Sequence, residues 1–132
     1  MAIVKYIETT KPRKQRTITL TDARPVRIYE DEWPVIASSS WHSGEHESQA
    51  NETATIRVRQ HADGRVIVYS VHDSGPGGMP IGWRGSASGV QIGRAGEPPS
   101  DAQIVAAIRA CDPLPGLRLA ANCIADLPAA VL

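Results

Sequence analysis

Two β-rich runs meet across an Asp-Gly pair, and no other stretch of this 132-residue chain constrains its fold as strongly. The first run is Ala54-Thr55-Ile56-Arg57-Val58-Arg59-Gln60. After His61-Ala62-Asp63-Gly64 comes the second, Arg65-Val66-Ile67-Val68-Tyr69-Ser70-Val71. Asp-Gly readily supplies the positive φ angles of a tight turn, so the segment predicts a β-hairpin. Alternation along the first strand places Ile56 and Val58 on one face and Arg57 and Arg59 on the other, one side for a core and one for water or a partner.

Further strands are predicted upstream. Thr17-Ile18-Thr19-Leu20-Thr21 and Pro25-Val26-Arg27-Ile28-Tyr29-Glu30 alternate around a turn at Asp22-Ala23-Arg24, and a third candidate runs from Trp33 to Trp41, its apolar pattern fading at Ser38-Ser39-Ser40. Residues 74–96 hold eight glycines and two prolines in 23 residues and read as a long flexible loop or a run of distorted edge strands. Pro98-Pro99 then precede Ser100, which with Gln103 forms a capping-box signature. Ile104, Val105, Ile108 and Cys111 follow at helical spacing, and Pro113 ends the helix. A second short helix is predicted over about 118–126. The expected architecture is an α+β single domain: an antiparallel sheet of about 5–6 strands from the N-terminal two-thirds, packed by two short C-terminal helices. Residues 1–16 are a basic arm or edge strand, 17–132 the domain, 74–99 its Gly/Pro-rich loop and 100–127 its helical part.

Strands first and helices last, with no βαβ alternation, argue against a parallel nucleotide-binding sheet. With no Phe, and with Tyr6, Tyr29, Trp33, Trp41, Tyr69 and Trp83 as the only aromatics, the core is mainly aliphatic. Cys111 and Cys123 lie in apolar surroundings without a CxxC pattern and read as buried thiols of a reducing compartment. The opening apolar stretch is broken by Lys5 and Glu8, too short for a signal peptide, and no run approaches a membrane span. A cytoplasmic protein is expected, monomeric or homodimeric, with no membrane partner.

Net charge is zero, but unevenly distributed. Residues 1–27 hold seven basic and two acidic groups; residues 28–52 hold six acidic groups and no Lys or Arg. Segregation of this kind bears on partners. Lys11, Arg13, Lys14 and Arg16, with the Arg57/Arg59 strand face, form a candidate nucleic-acid surface, although no recognised nucleic-acid motif accompanies them. Glu30, Asp31, Glu32, Glu45, Glu47 and Glu52, with Trp33 and Trp41 as anchors, form a candidate acidic face for the basic groove of a nucleic-acid-binding protein.

Signals for chemistry are incomplete. His42-Ser43-Gly44-Glu45-His46 matches the HxxEH pattern of inverted zinc peptidases, but that spacing works only on a helix, and Gly44 and the preceding serines break the helical pattern. His72-Asp73-Ser74 holds the residue types of a serine triad, yet neighbours on a strand point to alternate faces. No phosphate-binding glycine motif is present in residues 74–96, where Met79, Ile81 and Trp83 are instead candidate contact residues. No catalytic residue, resident metal or cofactor is assigned.

At Ile18-Thr19-Leu20-Thr21-Asp22, Asp31-Glu32-Trp33-Pro34-Val35-Ile36-Ala37 and Arg57-Val58-Arg59-Gln60-His61-Ala62-Asp63-Gly64-Arg65-Val66-Ile67-Val68-Tyr69, the chain resembles small accessory proteins of proteobacterial prophages and mobile elements. The resemblance spans roughly residues 17–71 and carries no catalytic residue. It implies a setting in which short proteins inhibit host defence, including anti-CRISPR proteins that block an effector complex. The reading is therefore a non-enzymatic binding protein acting by occlusion on a bacterial defence complex. The alternatives are a nucleic-acid-binding regulator and a zinc hydrolase on His42, Glu45 and His46.

Overall fold

The described residues form one six-stranded sheet backed by two helices. A computed structural model describes residues 13–43, 51–75 and 86–129. The strands are β1 (Gln15–Leu20), β2 (Pro25–Tyr29), β3 (Val35–His42), β4 (Asn51–Gln60), β5 (Val66–Gly75) and β6 (Ser86–Ile92). A single 3-10 turn, Glu30–Glu32, links β2 to β3; the helices are α1 (Asp101–Ala110) and α2 (Leu119–Ala125). Spatial order is β2-β1-β6-β5-β4-β3, with every pairing antiparallel except β1 with β6. The architecture is α+β, and the sheet is mixed, mostly antiparallel.

The expected β4–β5 hairpin forms, with Gln60 opposite Val66 and Gly64 at φ 102°. Its alternation feeds two cores. Ala54, Ile56, Val58, Val66 and Val68 face the helices and pack against Ile104, Ala107 and Ile108 of α1 and Leu119 and Cys123 of α2. Ile67 and Tyr69 face the other way and join Ile18, Leu20, Ile28, Trp33 and Ala87. Both faces are thus packed, which explains the unbroken buried run Val66–Ser70.

That second core needs no third layer, because the sheet curls over it. β2 and β3 are opposite edges of the sheet, yet only five residues, Glu30–Pro34, join them. Five inter-strand steps would span about 24 Å if flat. Six fully extended residues reach about 21 Å at most, and the 3-10 turn shortens that further. The sheet must bend into an incomplete barrel, with the Glu30–Pro34 segment crossing its concave face and Trp33 sealing the interior at 6% exposure.

Ser100 caps α1 through the complete box: its Oγ accepts from Gln103 N–H at 3.2 Å, and its own N–H donates to Gln103 Oε1 at 2.7 Å. Two of the three serines of β3 tie the sheet to a helix. Ser39 Oγ donates to Leu119 O at 2.7 Å and Ser38 N–H to Asp126 Oδ2 at 2.9 Å, fastening α2 to the β3 edge. A bulge at Ile36, between Val35 opposite Arg59 and Ala37 opposite Val58, turns Ile36 and Ala37 toward the helices. Both cysteines are free, and burial pushes each thiol up to about 11.

Two expectations are corrected. The stretch 74–99 is not simply a Gly/Pro-rich loop, since its residues 86–92 form β6, an interior strand between β1 and β5. Small residues there serve packing: a Cβ on Gly89 would lie 2.0 Å from Val68 O and 2.6 Å from Tyr69 Cα. Within the mostly antiparallel sheet, β6 meets β1 in parallel, Ile18 opposite Ala87. Nor do residues 15 and 16 belong to a basic arm or edge strand. Gln15 and Arg16 already belong to β1, which is second from the edge.

Gly89→Ala is expected to destabilise the protein by about 3 kcal/mol or more, through backbone overpacking that side-chain rotation cannot relieve. A urea midpoint within error of wild type would contradict the close approach of β5 and β6.

Candidate functional site

The acidic and basic tracts meet in the fold. Glu30 closes β2 at the entrance to the concave face, and its Oε1 accepts from Arg16 Nε and from Arg59 Nη2, each at 3.3 Å. Arg59 projects inward from β4 at 6% exposure. Its Nε donates to Tyr69 Oη at 2.8 Å and its Nη1 to Trp33 O at 3.0 Å. A buried guanidinium requires this full set of acceptors, since an uncompensated charge in a low-dielectric interior is strongly unfavourable. Asp31 and Glu32 turn outward and share Arg13, whose Nη2 lies 2.8 Å from Asp31 Oδ1 and 3.0 Å from Glu32 Oε2. Arg13 also lies over the Tyr29 ring, 4.0 Å from its centroid. The hydrogen bond from Arg13 holds the Asp31 carboxyl below the usual carboxylate range.

The residues expected to form an acidic face are therefore divided among different environments. Glu30 is internal. Trp33 is a core residue and Trp41 is half-buried against the helix-side core, so neither ring is a freely projecting anchor. Glu52 pairs with His72 at 3.0 Å, and Glu45 and Glu47 lie outside the described residues. Asp31 and Glu32 remain at the surface, with side chains 63% and 49% exposed. The basic set is divided likewise: Arg13, Arg16 and Arg59 are ion-paired, Lys14 is exposed, Arg57 is half-buried on the Tyr69 side of β4, and Lys11 lies outside the described residues.

The HxxEH pattern does not begin on a helix. His42 is the last residue of β3 and pairs with Thr53, which separates it from the geometry the zinc spacing requires; Glu45 and His46 lie outside the described residues. Among the described residues, no group of three or more His, Cys, Asp or Glu is placed to hold a metal ion. His72 and Asp73 sit on opposite faces of β5, and His72 is engaged by Glu52. Among the same residues, no helix is long and apolar enough to cross a membrane.

What the fold builds is a ridge between two concavities. Trp33 and His61 meet edge to face, ring centroids 5.1 Å apart, while Arg65 lies over Trp33 at 5.1 Å. Arg65 Nε donates to both carboxylate oxygens of Asp63, at 2.9 and 3.1 Å. Burial raises the Asp63 pKa, but the Arg65 N–H and guanidinium outweigh it, and the carboxyl titrates below its ordinary range. On one side of the ridge is an open groove of about 670 Å³, whose lining includes Asp31, Glu32, Pro34, Ile36, Ala62 and Pro98 and, among the described residues, no Lys or Arg. On the other is a cavity of about 370 Å³ at the mouth of the curled sheet. Sequence reasoning missed both, because they are formed by residues that come together only when Glu30–Pro34 crosses the sheet.

Compared with known proteins, the chain matches no family model, no curated protein and no solved structure.

Two predictions follow from this network. Arg59→Met is expected to cost about 3 kcal/mol, and a double-mutant cycle with Glu30→Gln is expected to show about 1–2 kcal/mol of coupling; additive effects in urea melts would contradict the pairing. The Asp31 carboxyl is depressed on folding, so its contribution is full above the unfolded value near 4 and fades as pH falls through the lower folded value. Wild type should therefore lose stability relative to Asp31→Asn between about pH 5 and pH 2. Parallel pH profiles would contradict it.

Proposed function

We propose that this is a non-enzymatic binding protein that docks a basic segment of a protein partner in the groove beside Asp31 and Glu32. The observation that carries the reading is the groove itself, about 670 Å³, lined by two exposed carboxylates that share a single cation, Arg13, and so keep one net negative charge, with no Lys or Arg among its described lining residues. Val35, exposed at 44%, lies next to the groove residues Pro34 and Ile36 and adds apolar surface. An apolar patch edged by like charge suits a partner with complementary potential, which favours encounter and register. On the resemblance at residues 17–71, the partner class is a nucleic-acid-binding effector of a bacterial defence system, held off its nucleic acid by occlusion. The nucleic-acid alternative is less well supported by geometry. Arg13, Arg16 and Arg59 are already matched to carboxylates, leaving fewer cations for phosphates.

The test uses Asp31→Lys with Glu32→Lys and leaves Glu30 intact, because Glu30 serves the interior. Wild-type bait should retain a basic protein from bacterial lysate, released by salt and identified by mass spectrometry. The double variant, checked for unchanged thermal unfolding, should retain about tenfold less or weaker. Equal capture by both, or none above beads alone, would remove the proposal; salt-sensitive retention on DNA by both would replace it with the nucleic-acid reading.

A further inference from the structure

We infer that the cavity on the other side of the ridge, at the mouth of the curled sheet, is a site for a small carboxylate with an apolar body. The inference is independent of the groove reading. The cavity measures about 370 Å³, within the roughly 300–1,000 Å³ of small-molecule sites. Its floor is Leu20, Val26, Ile28 and Ile67, and Trp33 forms a wall. The floor residues belong to three different strands, so the cavity exists only because the sheet bends and the barrel stays open between β2 and the crossing segment.

The rim supplies oriented donors. Arg65 is clamped through Nε by Asp63 and lies over Trp33, so its guanidinium is held without using its two Nη nitrogens. Among the described residues no hydrogen bond takes those nitrogens. A planar guanidinium presents a fork that matches a planar carboxylate. Arg24, paired loosely with Asp22 at 3.7 Å, is a second rim cation. The edge of β2 adds main-chain donors. Glu30 N–H bonds Lys14 O and Leu20 N–H bonds Arg24 O, so the even-numbered residues face β1. By antiparallel alternation, the N–H groups of Arg27 and Tyr29 point away from β1, along the side that the cavity borders.

Charge selects a monoanion. Arg24, Arg27 and Arg65 line the cavity, but Glu32 lines it too, and Asp22 and Asp63 stand directly behind two of the arginines. With Glu32 already bonded to Arg13, the three arginines stand against Asp22 and Asp63, a surplus of one positive charge that suits a monoanion and not a doubly charged phosphate. One carboxylate, gripped by donors already in place, fits; its aliphatic or aromatic body would cover the exposed part of the apolar floor.

The experiment titrates the full-length protein with octanoate and, in parallel, with 1-octanol, by isothermal titration calorimetry. Octanoate is expected to bind saturably with one-to-one stoichiometry, and octanol at least about tenfold more weakly. Arg65→Gln should weaken octanoate about tenfold while leaving octanol unchanged; Arg24→Gln serves if Arg65→Gln does not fold. No saturable octanoate binding overturns the proposal, as does equal affinity for acid and alcohol, or affinity unchanged by the arginine substitution.

Discussion

A five-residue connection between the two edges of a six-stranded sheet governs this structure. Such a link is too short to span a flat sheet, so the strands curl and the link crosses their concave side. The crossing segment then does what a third layer would do elsewhere. Trp33 closes the apolar interior, and Glu30 supplies the carboxylate that allows Arg59 to sit inside beside Tyr69. Burying Arg59 is tolerable only because Glu30, Tyr69 and Trp33 O receive its donors together. The curl and the buried ion pair therefore depend on each other.

The same crossing resolves the charge pattern. A cationic N-terminal tract and an anionic tract that follows it look in sequence like two surfaces for two partners. In the fold part of each is matched to the other: Arg13 holds Asp31 and Glu32, and Arg16, together with Arg59 of β4, holds Glu30. What remains for recognition is shape as much as charge, two concavities either side of the Trp33–His61 contact, one bordered by carboxylates and the other by arginines.

Much of the fold was legible in residue order. The β4–β5 hairpin announced itself by two alternating runs around Asp63-Gly64, and α1 by Ser100, Gln103 and the apolar spacing behind them. β6 was not legible, because Ser86-Ala87-Ser88-Gly89 is a linker's composition, and only the approach of Val68 and Tyr69 explains why nothing larger fits there. Of the candidate site, Asp31 and Glu32 were legible as surface charge. The inward turn of Glu30 was not, since a residue's side of the sheet depends on where a chain crosses it, and adjacent carboxylates look alike in sequence.

Local chemistry, then, determined which segments become strands and helices, where two of the turns fall and that the core is aliphatic, because propensity, alternation and capping act over a few residues. Only the tertiary structure decided that β1 and β6 run parallel, that Trp33 is a plug rather than an anchor, and that three arginines answer three carboxylates. These outcomes hang on contacts between residues more than ten positions apart, and no short-range pattern encodes the bend that brings them together.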